Sequence, residues 1–341
     1  MIYRSKAPLR IGLAGGGTDV PPYCDEHTGY VLNASLNMFV HCTLELTSNK
    51  KIEFSSGDLN QRVSYDSSTI LPFDGKFDLH KAVYNRIVSE YVRIPMSFKL
   101  FSYSEAPSGS GLGGSSTLVV AIIKAFSECL DLSFGVYDIA RLAYIVERKD
   151  LGWKGGMQDQ YAATFGGFNF MEFSKESRVV VNPLSLKNWI INEFEAHCFM
   201  AFTGISRSSS EIIDSHSQSI LKKDRYITTQ MHNLKKDAIL MKKSILSGNI
   251  TEVASILDNS WHSKKSLSSL ITNPLIDKVI KAAKLAGAMA CKVSGAGGGG
   301  FVLIIVEPTL KASVMNTIEE KGMKCMNITF SNKGVQSWRL D

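Results

Sequence analysis

Between Pro107 and Thr117 the chain reads Pro-Ser-Gly-Ser-Gly-Leu-Gly-Gly-Ser-Ser-Thr, four glycines and two adjacent hydroxyls ahead of an apolar run. These residue types suit a phosphate cradle. Glycines let backbone N–H groups approach phosphate oxygens without a Cβ in the way. A helix starting at the end of the loop presents unpaired N–H groups and the positive end of its dipole to an anion. Ser115 and Ser116 fall at that helix start, where a hydroxyl either caps the helix or points to a phosphate-bound magnesium ion. Gly109, Gly111 and Gly114 also satisfy G-x-G-x-x-G. A dinucleotide site, however, wants a second strand after the helix and an acidic residue roughly twenty positions on, and Ser133 to Asp150 reads as another helix. No Gly-Lys-Ser or Gly-Lys-Thr of a Walker loop occurs. A loop that binds nothing is the bland alternative, and the tight setting between strand and helix argues against it.

Two further glycine loops and two carboxylates add chemistry. Leu9 to Ala14 reads as a strand running into Gly15-Gly16-Gly17-Thr18-Asp19 and then Pro21-Pro22. Three residues without bulk would let a polar ligand reach the backbone of Gly16 and Gly17 together with Thr18 and Asp19, an ordinary hairpin turn being the alternative. The loop Ser294 to Gly300 lies between apolar strands at Ala288 to Val293 and Phe301 to Val306. Glu147 sits at the edge of the stripe formed by Ile139, Leu142, Ala143 and Val146, from which it either snorkels to solvent or turns into a site. Asp159 falls in the first turn of a short segment opened by Gly155-Gly156. Locally it needs no further role than a carboxylate favoured by the helix dipole, an effect under about 1 kcal/mol when exposed.

The elements that must position these residues follow from periodicity. Ser97 to Tyr103 alternates as a strand before the phosphate loop, and Leu118 to Leu130 is helical after it. Val31 to Leu46 and Ile52 to Tyr65 are strand-rich, Asp78 to Arg93 is a one-faced helix, and Phe168 to Phe173 with Arg178 to Val181 makes a hairpin. Asn182-Pro183 and polar sequence predict a boundary near residue 190, giving domains at 1–190 and 191–341. The strand Glu195 to Phe202 opens the second, followed by helices at Ser208 to Leu221, Thr228 to Ser247, Ile250 to Leu270 and Pro274 to Ala286. A helix from Thr309 to Lys321 and a strand from Met323 to Phe330 close the pattern.

With 341 residues the chain has room for about two cores. It is 44% hydrophobic and 21% charged, an ordinary globular balance. Its apolar runs are too short to span a bilayer. The first residues enter a strand pattern with no leader-like region, which predicts a cytoplasmic protein. The six cysteines form no C-x-x-C pair, and the seven histidines show no H-E-x-x-H spacing, so neither disulfides nor zinc are indicated. The net charge of +6 is spread over amphipathic helices, which reads as solvated surface and not as a nucleic-acid patch.

Taken together, in order and spacing, the three glycine loops resemble the GHMP family of small-molecule kinases over nearly the whole chain. The motifs concerned are Ala7-Pro8-Leu9-Arg10 through Asp19, Pro107 to Ser116, and Lys292-Val293-Ser294 through Gly300. The resemblance implies an α+β fold of two domains, a ribosomal-protein-like N-terminal one and a ferredoxin-like C-terminal one, with the site between them. It implies ATP held by Pro107, Ser108, Gly109, Ser110, Gly111, Leu112, Gly113, Gly114, Ser115 and Ser116. Magnesium falls to Ser115 and Glu147, and catalysis to Asp159 with Arg10 beside it. Gly16, Gly17, Thr18 and Asp19 would meet the sugar, with Gly297 and Gly298 closing the site. Galactokinases carry Glu-His where this chain has Gly16-Gly17. The run Ala14 to Tyr23 is most similar to family members acting on a heptose 7-phosphate, and fucose kinases share part of the pattern. A phosphorylated acceptor needs cations far from ATP. Arg207 at a strand end and Lys154 are candidates, while Lys264 and Lys265 are weaker because a lysine pair on a helix is usually solvated. A catalytically silent sensor of sugar and ATP would usually lack a catalytic or metal residue, whereas Ser115, Glu147 and Asp159 are all present.

Overall fold

The computed structural model describes residues 1–205, 212 and 224–341. Arg207 and nearly all of the 208–221 segment therefore lie outside the described residues. Two long antiparallel strands, β1 (Ile2–Ala14) and β2 (Gly29–Leu46), form the spine. Beyond the shared register each half of β2 takes a different partner, β6 (Phe168–Ser174) at its start and β5 (Phe98–Ser104) at its end. Next to β5 lies β3 (Lys51–Ser56), in parallel, with β4 (Gln61–Asp66) outside it, while β7 (Arg178–Leu184) flanks β6. The final strand, β12 (Gln336–Leu340), pairs with β1 and completes eight strands. The chain's end thus returns to the first sheet, so the strands do not divide simply at residue 190.

A second, antiparallel sheet has the order β11 (Lys324–Asn327), β8 (Cys198–Phe202), β10 (Phe301–Val306), β9 (Ala288–Val293). All six residues of β10 are buried, as an interior strand covered on both faces requires. The expected strand Glu195 to Phe202 is corrected here. Its first three residues are the last turn of α6 (Asn188–His197), and the strand begins only at Cys198. Phe194 and His197 are buried from the helix, a three-residue spacing that the strand reading overlooked.

The helices beside the sheets have legible ends. α7 (Arg225–Ser247) starts where the Asp224 carboxylate accepts the N–H groups of Tyr226 and Ile227, and stops at Gly248 in a left-handed turn. α8 (Ile250–Lys265) is capped by Asn249, and α9 (Pro274–Leu285) by Asn273 with Pro274 in the first turn. α8 is shorter than the expected Ile250 to Leu270. α3 (Gly114–Cys129), α7 and α8 all pack on β1. Ala7 to Arg10 are accordingly buried without alternation. One core cluster joins Leu9, Ile11 and Leu13 of β1 to Met241 of α7, Leu257 of α8 and Leu303 of β10. Packing of this kind across both sheets fixes the walls between which the site lies.

Candidate active site

The phosphate loop joins β5 to α3, and Gly109, Gly111 and Gly113 adopt φ of +70°, +78° and +79°. No side chain caps the start of α3, so its first N–H groups remain open toward an anion. The third glycine loop braces this one from the second sheet. Phe301 donates its N–H to Ser110 O at 2.9 Å, and Ser294 Oγ donates to Gly111 O at 3.0 Å. The approach is close enough that a Cβ on Gly300 would stand 2.3 Å from Ser110 O. Every loop residue expected to hold nucleotide lines the cavity except Leu112, whose side chain is in the core and whose carbonyl accepts the Arg10 N–H.

Arg10 and Asp159 meet in a two-pronged ion pair. Nε donates to Oδ1 and Nη2 to Oδ2, both at 2.8 Å, while Nη1 donates to Gly111 O at 2.6 Å. One guanidinium therefore ties β1, the phosphate loop and α5 (Gln158–Phe165) together. The pair faces a cavity of about 930 Å³ that also takes in Gly16, Gly17, Asp19 and Gly297.

Asp19, read from the sequence as a sugar-binding carboxylate, lines the cavity and also has a structural task. Its Oδ2 accepts the N–H groups of Met157 and Gln158 at 3.0 and 3.1 Å, and its Oδ1 accepts Gly17 N–H and Gln158 Nε2. It holds the start of α5 and so places Asp159. Burial pushes its carboxyl group upward, and the backbone donors oppose the shift. Thr18, also read as meeting the sugar, is buried in the turn. Its hydroxyl proton is shared between Gly15 O and Tyr30 O, its oxygen accepts Tyr30 N–H, and the residue closes the turn without lining the cavity. Gly298 likewise faces away, with its N–H on Ile271 O at 2.7 Å and its carbonyl on Asn273 Nδ2 at 3.1 Å.

Glu147 is fully inside. The helix α4 (Val136–Ile145) ends in one wide turn, Val146–Asp150, where Leu151 N–H bonds the carbonyl of Val146 five residues back. Such a turn takes one extra residue and rotates the side chains around it relative to a regular helix, which brings Glu147 from the stripe's edge inward. Burial raises its carboxyl group above the ordinary range, with Arg148 as the largest opposing influence. Gln160 Nε2 bonds Glu147 and also Ser116 Oγ, the latter at 3.1 Å. Ser115 is exposed and lines the cavity. The hydroxyl linked to Glu147 through Gln160 is thus that of Ser116.

Two buried lysines also line the cavity. Lys264, expected to be solvated, is 7% exposed and bonds Gly295 O, and Lys292 is 2% exposed with its ammonium on Gly12 O at 2.8 Å. Lys265 alone behaves as a surface lysine, pairing with Asp277 at 2.7 Å. A signal was present in the spacing Val253, Leu257, Trp261, Lys264, which puts Lys264 on the apolar stripe of α8. Lys154 lines the cavity and is exposed.

The family model of the GHMP kinase N-terminal domain matches residues 78–167, and that of the C-terminal domain matches residues 241–322. The chain is a GHMP kinase. It is 48% identical to D-glycero-alpha-D-manno-heptose 7-phosphate kinase of Campylobacter jejuni over 99% of each chain. It shares 43% identity and a TM-score of 0.85 with a crystal structure described as a D-glycero-D-manno-heptose 1-phosphate kinase from Bacteroides thetaiotaomicron, again over 99% of each chain. A bifunctional fucokinase/GDP-fucose pyrophosphorylase of Arabidopsis thaliana is 27% identical over 89% of this chain and 30% of its own length. The two-domain α+β fold expected from the motifs is that of the family. GHMP kinases take their phosphoryl group from ATP.

For magnesium, the donor set of this GHMP kinase is oxygen-rich, as a hard cation prefers. The hydroxyls of Ser115 and Ser116 stand at the start of α3, Glu147 lines the same cavity from the wide turn after α4, and the buried Oε1 of Gln160 has no hydrogen-bond partner among the described residues. No cluster of three His, Cys, Asp or Glu side chains suited to a metal occurs among the described residues. An ion held by one carboxylate, a hydroxyl and phosphate oxygens fits that arrangement. Among the described residues no helix is long and apolar enough to cross a membrane.

Proposed function

We propose that the kinase transfers the γ-phosphoryl group of ATP to the anomeric hydroxyl of D-glycero-D-manno-heptose 7-phosphate, giving the 1,7-bisphosphate. The observation that carries the chemistry is the Asp159 carboxylate, clamped by Arg10, facing a cavity whose other wall is the phosphate loop. The substrate class rests on likeness to the heptose phosphate kinases over the full chain.

Catalysis of this kind is mostly placement and charge stabilisation. Backbone N–H groups from Ser108 to Ser116 hold the triphosphate. Asp159 orients the attacking hydroxyl. With a reference pKa of about 3.9, a carboxylate is a weak base for an alcohol, so the proton passes to Asp159 only as the new oxygen–phosphorus bond forms and the bond to ADP breaks. Arg10 keeps the carboxylate in position throughout. A magnesium ion on Ser115 and Glu147, when bound, supplies positive charge against the outer phosphates. Ser115→Ala and Glu147→Gln are each expected to raise the magnesium concentration for half-maximal rate by about tenfold. Titrations that match the parent protein would make both residues structural.

The substrate's own phosphate needs a cation, and Lys154, exposed on the cavity wall, is suited to it. Arg207 is the other proposed partner. Removing the 7-phosphate from the acceptor is expected to cost about 100-fold in kcat/KM, more than altering a distal hydroxyl, because cations prepared for it are left unpaired. Equal or faster turnover of free fucose or galactose would overturn the substrate while leaving ATP-dependent transfer intact.

A further inference from the structure

Phosphoryl transfer with Asp159 as base leaves two buried cations without a task. Lys264, at the end of α8, and Lys292, in β9, both line the cavity and are almost wholly buried. An ammonium has three N–H donors. Among the described residues each lysine makes one hydrogen bond, Lys264 to Gly295 O and Lys292 to Gly12 O. Neither has a carboxylate to itself. Asp159 is held by both prongs of Arg10, and the Asp19 oxygens already take three backbone N–H groups and the Gln158 amide. A buried cation with free donors and no counter-ion calls for an anion.

Lys264 is at the reacting end of this space. The residue whose carbonyl it bonds, Gly295, lies against the phosphate loop, since a Cβ there would be 2.8 Å from Gly111 Cα. The Gly111 carbonyl in turn accepts Arg10 Nη1. On the acceptor side, a Cβ on Gly16 would be 3.9 Å from Lys264 Nζ. The ammonium therefore stands between the nucleotide loop, the Arg10–Asp159 pair and the first glycine loop.

We propose that Lys264 is a catalytic residue whose ammonium donates N–H bonds to the oxygens of the phosphoryl group as it passes from ADP to the acceptor. This rests on the phosphoryl-transfer reading of the same cavity. The bond from phosphorus to the ADP oxygen breaks, the bond to the acceptor oxygen forms, and the acceptor's proton goes to Asp159. Lys264 keeps its own protons and answers the charge spread over the transferred oxygens. The charged groups facing it are Arg10 from β1, Asp19 from the loop after β1, Asp159 from α5 and Lys292 from β9. Burial brings its ammonium down to about 8, with Arg10 adding to the fall and the two aspartates opposing it, and a bound phosphate would raise it again.

The test is steady-state kinetics of the full chain with ATP and heptose 7-phosphate, comparing the parent with Lys264→Met and Lys264→Arg across the pH range. Lys264→Met is expected to lower kcat about 100-fold with the acceptor KM within about twofold. Parent kcat/KM should fall as pH rises past about 8, where Lys264 loses its proton, since that profile reports the unliganded groups. Lys264→Arg should lose this alkaline fall, because a guanidinium stays charged, and should exceed Lys264→Met in kcat. A parent-like kcat in Lys264→Met, or a raised KM at unchanged kcat, would overturn the proposal. Should Lys264→Met melt early, the pH profile of Lys264→Arg decides, and an alkaline fall like the parent's would overturn the proposal. If another sugar turns over faster, the substrate assignment fails and the same comparison is made on that sugar.

Discussion

Asp159→Asn is expected to lower kcat by about a hundredfold or more while ATP binding stays nearly unchanged. The substitution keeps the shape of the side chain and removes its charge. An amide can neither take the hydroxyl proton nor accept from both Arg10 donors, so one N–H of a guanidinium that is 4% exposed loses its acceptor. Because the carboxylate itself is partly open to solvent, with 24% of its side chain exposed, the stability cost is expected to be modest, about 1 kcal/mol. Single-turnover rates, nucleotide titration and a thermal melt separate the two effects. Retention of most of the rate would remove Asp159 from the chemistry.

Gly156→Ala is expected to cost activity by about 100-fold and stability by about 1–3 kcal/mol, although residue 156 has no side chain to take part in the chemistry. A Cβ at this position would stand 1.9 Å from Asp19 Oδ2 and 2.5 Å from Asp19 Cγ, and neither can yield without leaving the N–H groups of Met157 and Gln158. The start of α5 would shift with it, and Asp159 lies in that first turn. A displacement of about 1 Å at a reacting group is enough for such a loss of rate. The variant's melting temperature and kcat test this together. Parent values for both would show that Asp19 does not hold α5 in place.

The contrast between Asp159 and Asp19 shows what local sequence can and cannot carry. Asp159 reads locally as an ordinary helix-start carboxylate, its catalytic role comes only from the resemblance to GHMP kinases, and its ion pair with Arg10 spans 149 residues of sequence. Asp19 follows three glycines and lines the cavity, and it also accepts N–H groups from Met157 and Gln158, a contact that the local pattern does not encode. Strands and helices were mostly legible because burial periodicity is a local property. The failures came where geometry departs from a regular repeat. The wide turn at Val146–Asp150 carries Glu147 inward, and the last turn of α6 takes residues that a strand reading had claimed. Lys264 was misjudged because its neighbour Lys265 is a true surface lysine, and composition was weighed above position on the apolar stripe. Gly111, read as phosphate-binding, and Gly300, in the loop read as closing the site, also allow the two sheets' loops to touch.

Phosphorus NMR of the product formed from ATP and D-glycero-D-manno-heptose 7-phosphate tests the central claim most directly. The account predicts that one ADP appears for each acceptor consumed, with a new anomeric phosphate resonance beside the unchanged 7-phosphate ester. A product phosphorylated elsewhere on the heptose, or ADP release with no new sugar phosphate, would contradict it.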